Sequence, residues 1–148
     1  MKKARTWVLI ADAGRARILE HVAGSPGLAA VDGQVFEADH AATRDLVTDQ
    51  PGRSFSSASP RRSSMEAPTD PHRELKTRFA HHLAGVLADA QARDAFDRLV
   101  VIAPPVMLGD LREAMAKAVA ERVVGELHKD LTKVPNDEVM SHLGDIAL

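Results

Sequence analysis

The sequence predicts a single α/β domain, residues 1–148, built on a mixed five-stranded sheet with flanking helices. Three observations predict this class. Strand-like segments joined by short turns fill the first quarter of the chain, a strongly periodic helix begins near residue 71, and buried strands then alternate with helices. Because a strand–helix–strand order is typical of parallel neighbours, the sheet should contain both antiparallel and parallel pairs.

The first third of the chain has the pattern of an antiparallel meander. Residues 6–11 (TWVLIA) are almost entirely apolar, as expected for a central strand that is covered on both faces. Residues 16–22 (ARILEHV) follow a turn that contains Gly14, and residues 28–37 have the pattern of a third strand that bends at Asp32 and Gly33.

The first helix is predicted to start at Asp70 and Pro71, because aspartate is a favoured N-cap residue and proline a favoured first-turn residue. Apolar residues then recur at steps of three and four positions, which predicts one buried face. The residues of that face are Leu75, Phe79, Leu83, Val86, Leu87 and Ala90.

The remaining chain predicts two strands and two helices in alternation. Residues 99–103 (LVVIA) and 122–128 are the strand candidates, and helices are expected from about residue 105 and near the carboxyl terminus. The expected inward-facing helix residues are Leu108, Leu111, Met115 and Ala118 in the first helix and Val139, Leu143 and Ile146 in the second.

Composition excludes several classes of function. The chain has no cysteine, which excludes disulfides, zinc–thiolate sites and cysteine nucleophiles. Its net charge of -2 does not by itself indicate a partner. The apolar run near the amino terminus is too short for a signal peptide, and no stretch is long enough to cross a membrane. We therefore expect a cytoplasmic protein with no membrane contact and no cofactor.

A long basic loop is expected between about residues 38 and 70, which show neither helical nor strand periodicity. Loops of this length inside a domain are usually functional or mobile. In residues 49–64 (DQPGRSFSSASPRRSS), three arginines face a single acid, and the arginine fork pairs well with phosphate oxygens. The residues predicted to bind nucleic acid are Gly52, Arg53, Ser54, Arg61, Arg62, Arg73 and Arg78.

An alternative interpretation centres on Asp12, which ends the first strand. Acids at this position bind metal ions in some nuclease-type mixed sheets, provided that several carboxylates converge. Asp32, Asp97 and Asp110 are the possible companions, although each also fits an ordinary turn or cap position. A metal-dependent nuclease or hydrolase therefore remains an alternative, with Asp12 as a weak metal candidate.

Five segments in order resemble the bacterial family named "protein required for attachment to host cells". They are ADAGRARILE, DQPGRSF followed by RRSSMEAPTDPHRE, RFAHHLAGVL, LVVIAPPVMLGDLR and ELHKDLTKVP. That family in turn resembles the middle domain of archaeal and eukaryotic peptide-chain release factors and of Pelota. The resemblance implies a ribonuclease-H-like outline, and it puts residues 51–55 where release factors carry the Gly-Gly-Gln motif of their catalytic loop.

Gly-Gly-Gln itself is absent here, so the resemblance implies a binding loop without the peptide-release chemistry. The expected function is therefore that of a non-enzymatic protein that binds the ribosome, tRNA or another structured RNA. A protein-interaction module that acts in host attachment, with the loop contacting a protein partner, is the other alternative. The sequence does not indicate an oligomeric state.

Overall fold

The computed structural model describes residues 3–38, 71–144, 146 and 148. It confirms the predicted α/β class with a five-stranded mixed sheet and flanking helices. Of the long loop expected over residues 38–70, only Ala38 lies within the described residues.

The strands lie in the order β3-β2-β1-β4-β5 across the sheet. Their bounds are Arg5–Ala11 for β1, Arg15–Val22 for β2, Ala29–Glu37 for β3, Arg98–Ile102 for β4 and Val123–Leu127 for β5. The first three strands pair antiparallel, whereas β4 runs parallel to both β1 and β5. The predicted meander and the predicted parallel neighbours are both present, each strand within about one residue of its expected ends.

The central strand β1 supplies side chains to two separate cores. Trp7 and Leu9 pack on the face that carries the long helix, while Val8 and Ile10 pack on the opposite face with Leu143. All four are buried. This two-sided burial explains why the strand is apolar at nearly every position and not only at every second one.

The helices are Pro71–Ala92 (α1), Pro105–Ala114 (α2), Lys117–Ala120 (α3) and Asn136–Val139 (α4), and a 3₁₀ turn, Met140–His142, follows α4. The first three pack together on one face of the sheet, and the carboxyl-terminal segment covers the other face. The buried face predicted for α1 is confirmed, with Val86 only partly buried.

The single helix expected from about residue 105 is divided into α2 and α3. Met115 and Ala116 have extended backbone, with ψ of 133° and 149°, so the helix ends there and restarts in a new direction. Consequently Val119 enters the core and Ala118 is exposed, contrary to the predicted stripe. The closing helix is short as predicted, and Val139 and Leu143 are buried while Ile146 packs at the margin of the same core.

The expected bend in β3 is present. Gly33 has φ of +76°, a conformation that glycine adopts without strain, and the pairing register between β2 and β3 shifts nearby. In the ranges that the structure describes, no helix has both the length and the apolar character of a membrane span.

Packing of the carboxyl-terminal residues on β5 predicts an effect of substitution at Gly125. A Cβ atom there would lie 2.8 Å from Cγ2 of Ile146, so Gly125→Ala should lower the free energy of unfolding by about 1 kcal/mol. At Gly85, on the exposed side of α1, an added Cβ atom would have no neighbouring atom within 4 Å, so Gly85→Ala should raise that free energy by about 0.5–1 kcal/mol. Urea unfolding measures both; a neutral Gly125→Ala would contradict this packing.

Candidate functional site

The carboxyl ends of the parallel strands meet at one edge of the sheet. Asp12 follows β1, Pro104 lies two residues beyond β4, and Asp130 lies three residues beyond β5. They line a shallow cavity of about 430 Å³ together with Ala13, Gly14 and Arg15. We call this cavity the strand-end crevice; in open α/β sheets, ligands commonly bind at such edges.

Asp12 closes the turn between β1 and β2 and also anchors a distant loop. Its Oδ1 atom accepts hydrogen bonds from the backbone N–H groups of Gly14 at 2.7 Å and Arg15 at 2.8 Å. Its Oδ2 atom accepts one from the Thr132 hydroxyl at 3.0 Å. One carboxylate oxygen therefore holds the local backbone and the other contacts a distant side chain, which accounts for an aspartate at this position without a metal ion.

Thr132 lies between two acids. Its hydroxyl is 2.5 Å from Oδ1 of Asp130, the same oxygen that accepts the Thr132 backbone N–H at 3.0 Å. These hydrogen bonds, chiefly that of the hydroxyl, hold the pKa of Asp130 below its ordinary value. Since the hydroxyl carries one proton, it donates to Asp12 or to Asp130 but not to both at once.

The carboxylates proposed as companions of Asp12 do not join it. Asp97 accepts the backbone N–H of Arg5 at 2.8 Å, Asp110 pairs with Arg73, and Asp32 lies on the exposed side of β3. Among the residues that the structure describes, no three histidines or acids come together in a way that could hold a metal ion. The described part of the crevice thus supports a structural role for Asp12.

Arg17 connects strand β2 by hydrogen bonds to the loop that carries Thr132. Its Nε donates to Oδ1 of Asn136 at 2.7 Å, and its Nη1 donates to the carbonyl oxygen of Thr132 at 2.9 Å. Its Nη2 donates to the carbonyl oxygen of Val134. Burial lowers the pKa of Arg17 from its usual value, and its guanidinium is hydrogen-bonded to three residues of one short stretch, Thr132, Val134 and Asn136.

Two residues predicted to bind nucleic acid, Arg73 and Arg78, lie on α1. Arg73 forms a two-pronged ion pair with Asp110 of α2, both hydrogen bonds being 2.7 Å long. Arg78 is exposed. A shallow groove of about 370 Å³ lies along this part of α1, and we call it the helix groove; its lining residues are Arg73, Glu74, Thr77, Arg78 and His81.

The Arg73 guanidinium lowers the pKa of Asp110, mainly through the hydrogen bonds and further through its charge. A smaller electrostatic contribution from the nearby His81 acts in the same direction. Because α2 begins just after the carboxyl end of β4, this ion pair attaches the start of α1 to the same edge of the sheet as the crevice.

The other predicted binding residues, Gly52, Arg53, Ser54, Arg61 and Arg62, lie outside the described residues. The structure does describe the residues that flank this stretch of the chain. Ala38 donates its backbone N–H to the carbonyl oxygen of Gly14 at 2.8 Å, beside the crevice, and α1 begins at the Arg73–Asp110 pair. Ala38 and the start of α1, the described residues that flank this stretch, therefore lie at the same edge of the sheet.

Reasoning from sequence missed Arg15, Arg17, Asp130 and Thr132. The only available signal was a pair of arginines in an otherwise apolar strand segment, RARIL, and the partners of Arg17 lie more than a hundred residues away in the chain.

Comparison with known families gives one match. The family model described as "protein required for attachment to host cells" matches residues 7–143, which is nearly the whole chain. A comparison with curated proteins found no match.

Replacing Asp110 by Asn should lower stability in a pH-dependent way. The folded pKa of Asp110 lies below the unfolded value, so the ion pair is fully stabilising above the unfolded pKa of about 3.9 and is lost as pH falls through the folded pKa. We expect Asp110→Asn to lower the free energy of unfolding by about 1 kcal/mol at pH 7 and by less as the solution is acidified. Urea titrations from pH 7 to pH 3 measure this, with Asp89→Asn, an exposed change on α1, as the control.

Replacing Arg17 by Lys should loosen the loop that it holds, because an ammonium group cannot reach the three acceptors in the same planar geometry. The expected loss is about 1–3 kcal/mol in the free energy of unfolding, with faster hydrogen exchange in residues 132–136. Arg93→Lys, at an exposed position, serves as the control. Unchanged exchange in the loop would show that Arg17 does not hold it.

Proposed function

This chain belongs to the family of proteins required for attachment to host cells, and we propose that it functions by binding structured RNA, without catalysing a reaction. The binding surface consists of the helix groove and the basic segment that precedes it in the chain. Attachment would then depend on this protein indirectly, through the expression or translation of surface components in the cytoplasm.

The observation that carries the proposal is the set of exposed basic side chains along the helix groove and beside it on α1. Arg78 and His81 are exposed on its wall, and Lys76 is exposed on the same helix close by. Glu74 is the acidic residue in the lining. A shallow, open groove with exposed basic groups suits a phosphate backbone, which needs charge and access more than a closed pocket.

Arg73 has a structural role at this surface. Both of its terminal nitrogens donate to Asp110, so its contribution is to fix the start of α1 beside α2. With that end of the helix held, Arg78 and His81 keep a defined position relative to the sheet. Contacts of Arg73 with phosphate remain a prediction.

The basic segment supplies the remaining positive charge. Arg53, Arg61 and Arg62 belong to a stretch that leaves and re-enters the described fold at one edge, the edge at which α1 begins. This supports a common surface for the segment and the groove. In release factors, which the sequence resembles, the corresponding loop enters an RNA-lined site, and that resemblance is a second support.

A binding experiment with unfractionated tRNA tests the proposal. The full chain should bind tRNA in low salt, and the affinity should fall steeply as salt is added, because bound arginines release counterions from the RNA. Lys76→Gln combined with Arg78→Gln should weaken binding by about tenfold or more, and Arg53→Ala with Arg61→Ala and Arg62→Ala should do the same. Arg93→Gln is the matched control, since it removes an exposed charge from the far end of α1.

Three results would overturn it. The first is affinity that does not change in either charge-removal variant while the variants remain folded. The second is capture of a protein partner from native lysate, with no RNA, through the same residues, which would favour a protein-interaction module. The third is Mg²⁺-dependent cleavage of the tRNA that is abolished by Asp12→Asn, which would replace binding by a nuclease activity.

A further inference from the structure

A third cavity lies on the face of the sheet opposite α1. On this face the carboxyl-terminal segment shares a core with β1, β4 and Leu19 of β2, while Val35 and Glu37 of β3 stay exposed. Between strands β2 and β3 and Thr132 there is a cavity of about 260 Å³, which we call the β2–β3 cavity. It is lined by Arg15, Ala16, Arg17, Val35, Phe36, Glu37 and Thr132.

We propose that the β2–β3 cavity binds a small organic anion, a carboxylate or phosphate ester on a compact apolar body. This site is separate from the helix groove and does not depend on the RNA-binding proposal.

Arg17 gives the cavity a fixed and uncompensated positive charge. The guanidinium is half-buried, and all three of its hydrogen bonds go to neutral acceptors, one side-chain amide and two backbone carbonyls. No carboxylate forms an ion pair with it in the described part of the chain. Burying a cation without a counterion costs free energy, which an anion in the cavity would recover. Two of its five N–H groups are not used by these bonds.

Arg15 supplies a second positive charge at the mouth of the cavity. It is exposed, and its guanidinium makes no hydrogen bond or ion pair with any described residue. The acids near it are Asp12, which accepts its backbone N–H, Glu37, its partner across the β2–β3 pairing, and Asp130, whose pKa its charge helps to lower. The lining itself contains two arginines and one glutamate, and the carboxylates of Asp12 and Asp130 adjoin it through Thr132.

The apolar wall indicates what the rest of the ligand is. Val35 is 72% exposed, the largest exposure of any large hydrophobic residue in the described chain, and it lies in the cavity wall. The neighbouring Phe36 faces the other way and packs its ring against His82 of α1. A ligand with an apolar body would cover Val35 while its anionic group met the arginines. The volume is below the range of about 300–1,000 Å³ that is usual for drug-sized ligands, which limits the ligand to about the size of a substituted benzene ring.

Amide chemical-shift titrations of the ¹⁵N-labelled full chain test this site. The probes are benzoate, phenyl phosphate and inorganic phosphate, so that the type of anion and the apolar body are varied separately. We expect saturable shifts of residues 15–17, 35–37 and 132 with one or both aromatic probes, and weaker shifts with inorganic phosphate. Stronger binding of phenyl phosphate than of benzoate would assign the site to phosphate esters, and the reverse order to carboxylates.

Variants separate the contributions of charge and apolar wall. Arg15→Gln should weaken aromatic-probe binding by about tenfold, the value of one charge-assisted hydrogen bond. Val35→Thr keeps the β-branched shape and should reduce the advantage of the aromatic probes over inorganic phosphate. Arg93→Gln is the control for a non-specific loss of positive charge.

Shifts scattered over the surface, or saturable binding that is the same in Arg15→Gln as in the parent chain, would overturn the proposal. Equal affinity for inorganic phosphate and phenyl phosphate would exclude the apolar component. None of these outcomes bears on tRNA binding at the helix groove, so the two proposals fail independently.

Discussion

The burial of β1 and β4 on both faces is the constraint on which the rest of this structure depends. From Val8 to Ala11 and from Leu99 to Ala103 the side chains are fully buried, so each face of the sheet needs its own cover. Helices α1 to α3 cover one face, and the carboxyl-terminal segment covers the other. Apolar burial of this extent is the main favourable contribution to folding, and it decides which segments must lie over the sheet.

The carboxyl-terminal cover has little regular structure, because α4 has only four residues. Polar contacts therefore fix its position at the margin of the apolar core. Asp12 accepts the Thr132 hydroxyl, and Arg17 donates to two carbonyl oxygens and to Asn136. A loop whose backbone acceptors are satisfied by one guanidinium has less freedom to move, and the same contacts shape the walls of two cavities.

Charge is distributed unequally between the two sides of the molecule. On the helix side, Arg73 is neutralised by Asp110, whereas Arg78 stays exposed along an open groove. On the other side, Arg17 is held by neutral acceptors beside an apolar wall in a small cavity. This difference is why we propose a long polyanion as the ligand of the first surface and a small organic anion as the ligand of the second. Membership of the host-attachment family restricts the biological setting and leaves the ligand of each surface to these local arguments.

The sequence by itself determined the α/β class, the five strands, the buried face of α1 and the match to a family. Each of these follows from local periodicity or from motifs that are contiguous in the chain, and the continuous apolar runs at residues 6–11 and 99–103 already indicated strands covered on both faces. Only the tertiary structure decided that Asp12 is a turn and anchor residue, that Arg73 is paired with Asp110, and that α2 ends at Ala114. It also brought Arg17 to a loop more than a hundred residues away. These features depend on which side chains meet across the sheet, and the spacing of residues along one chain does not carry that information.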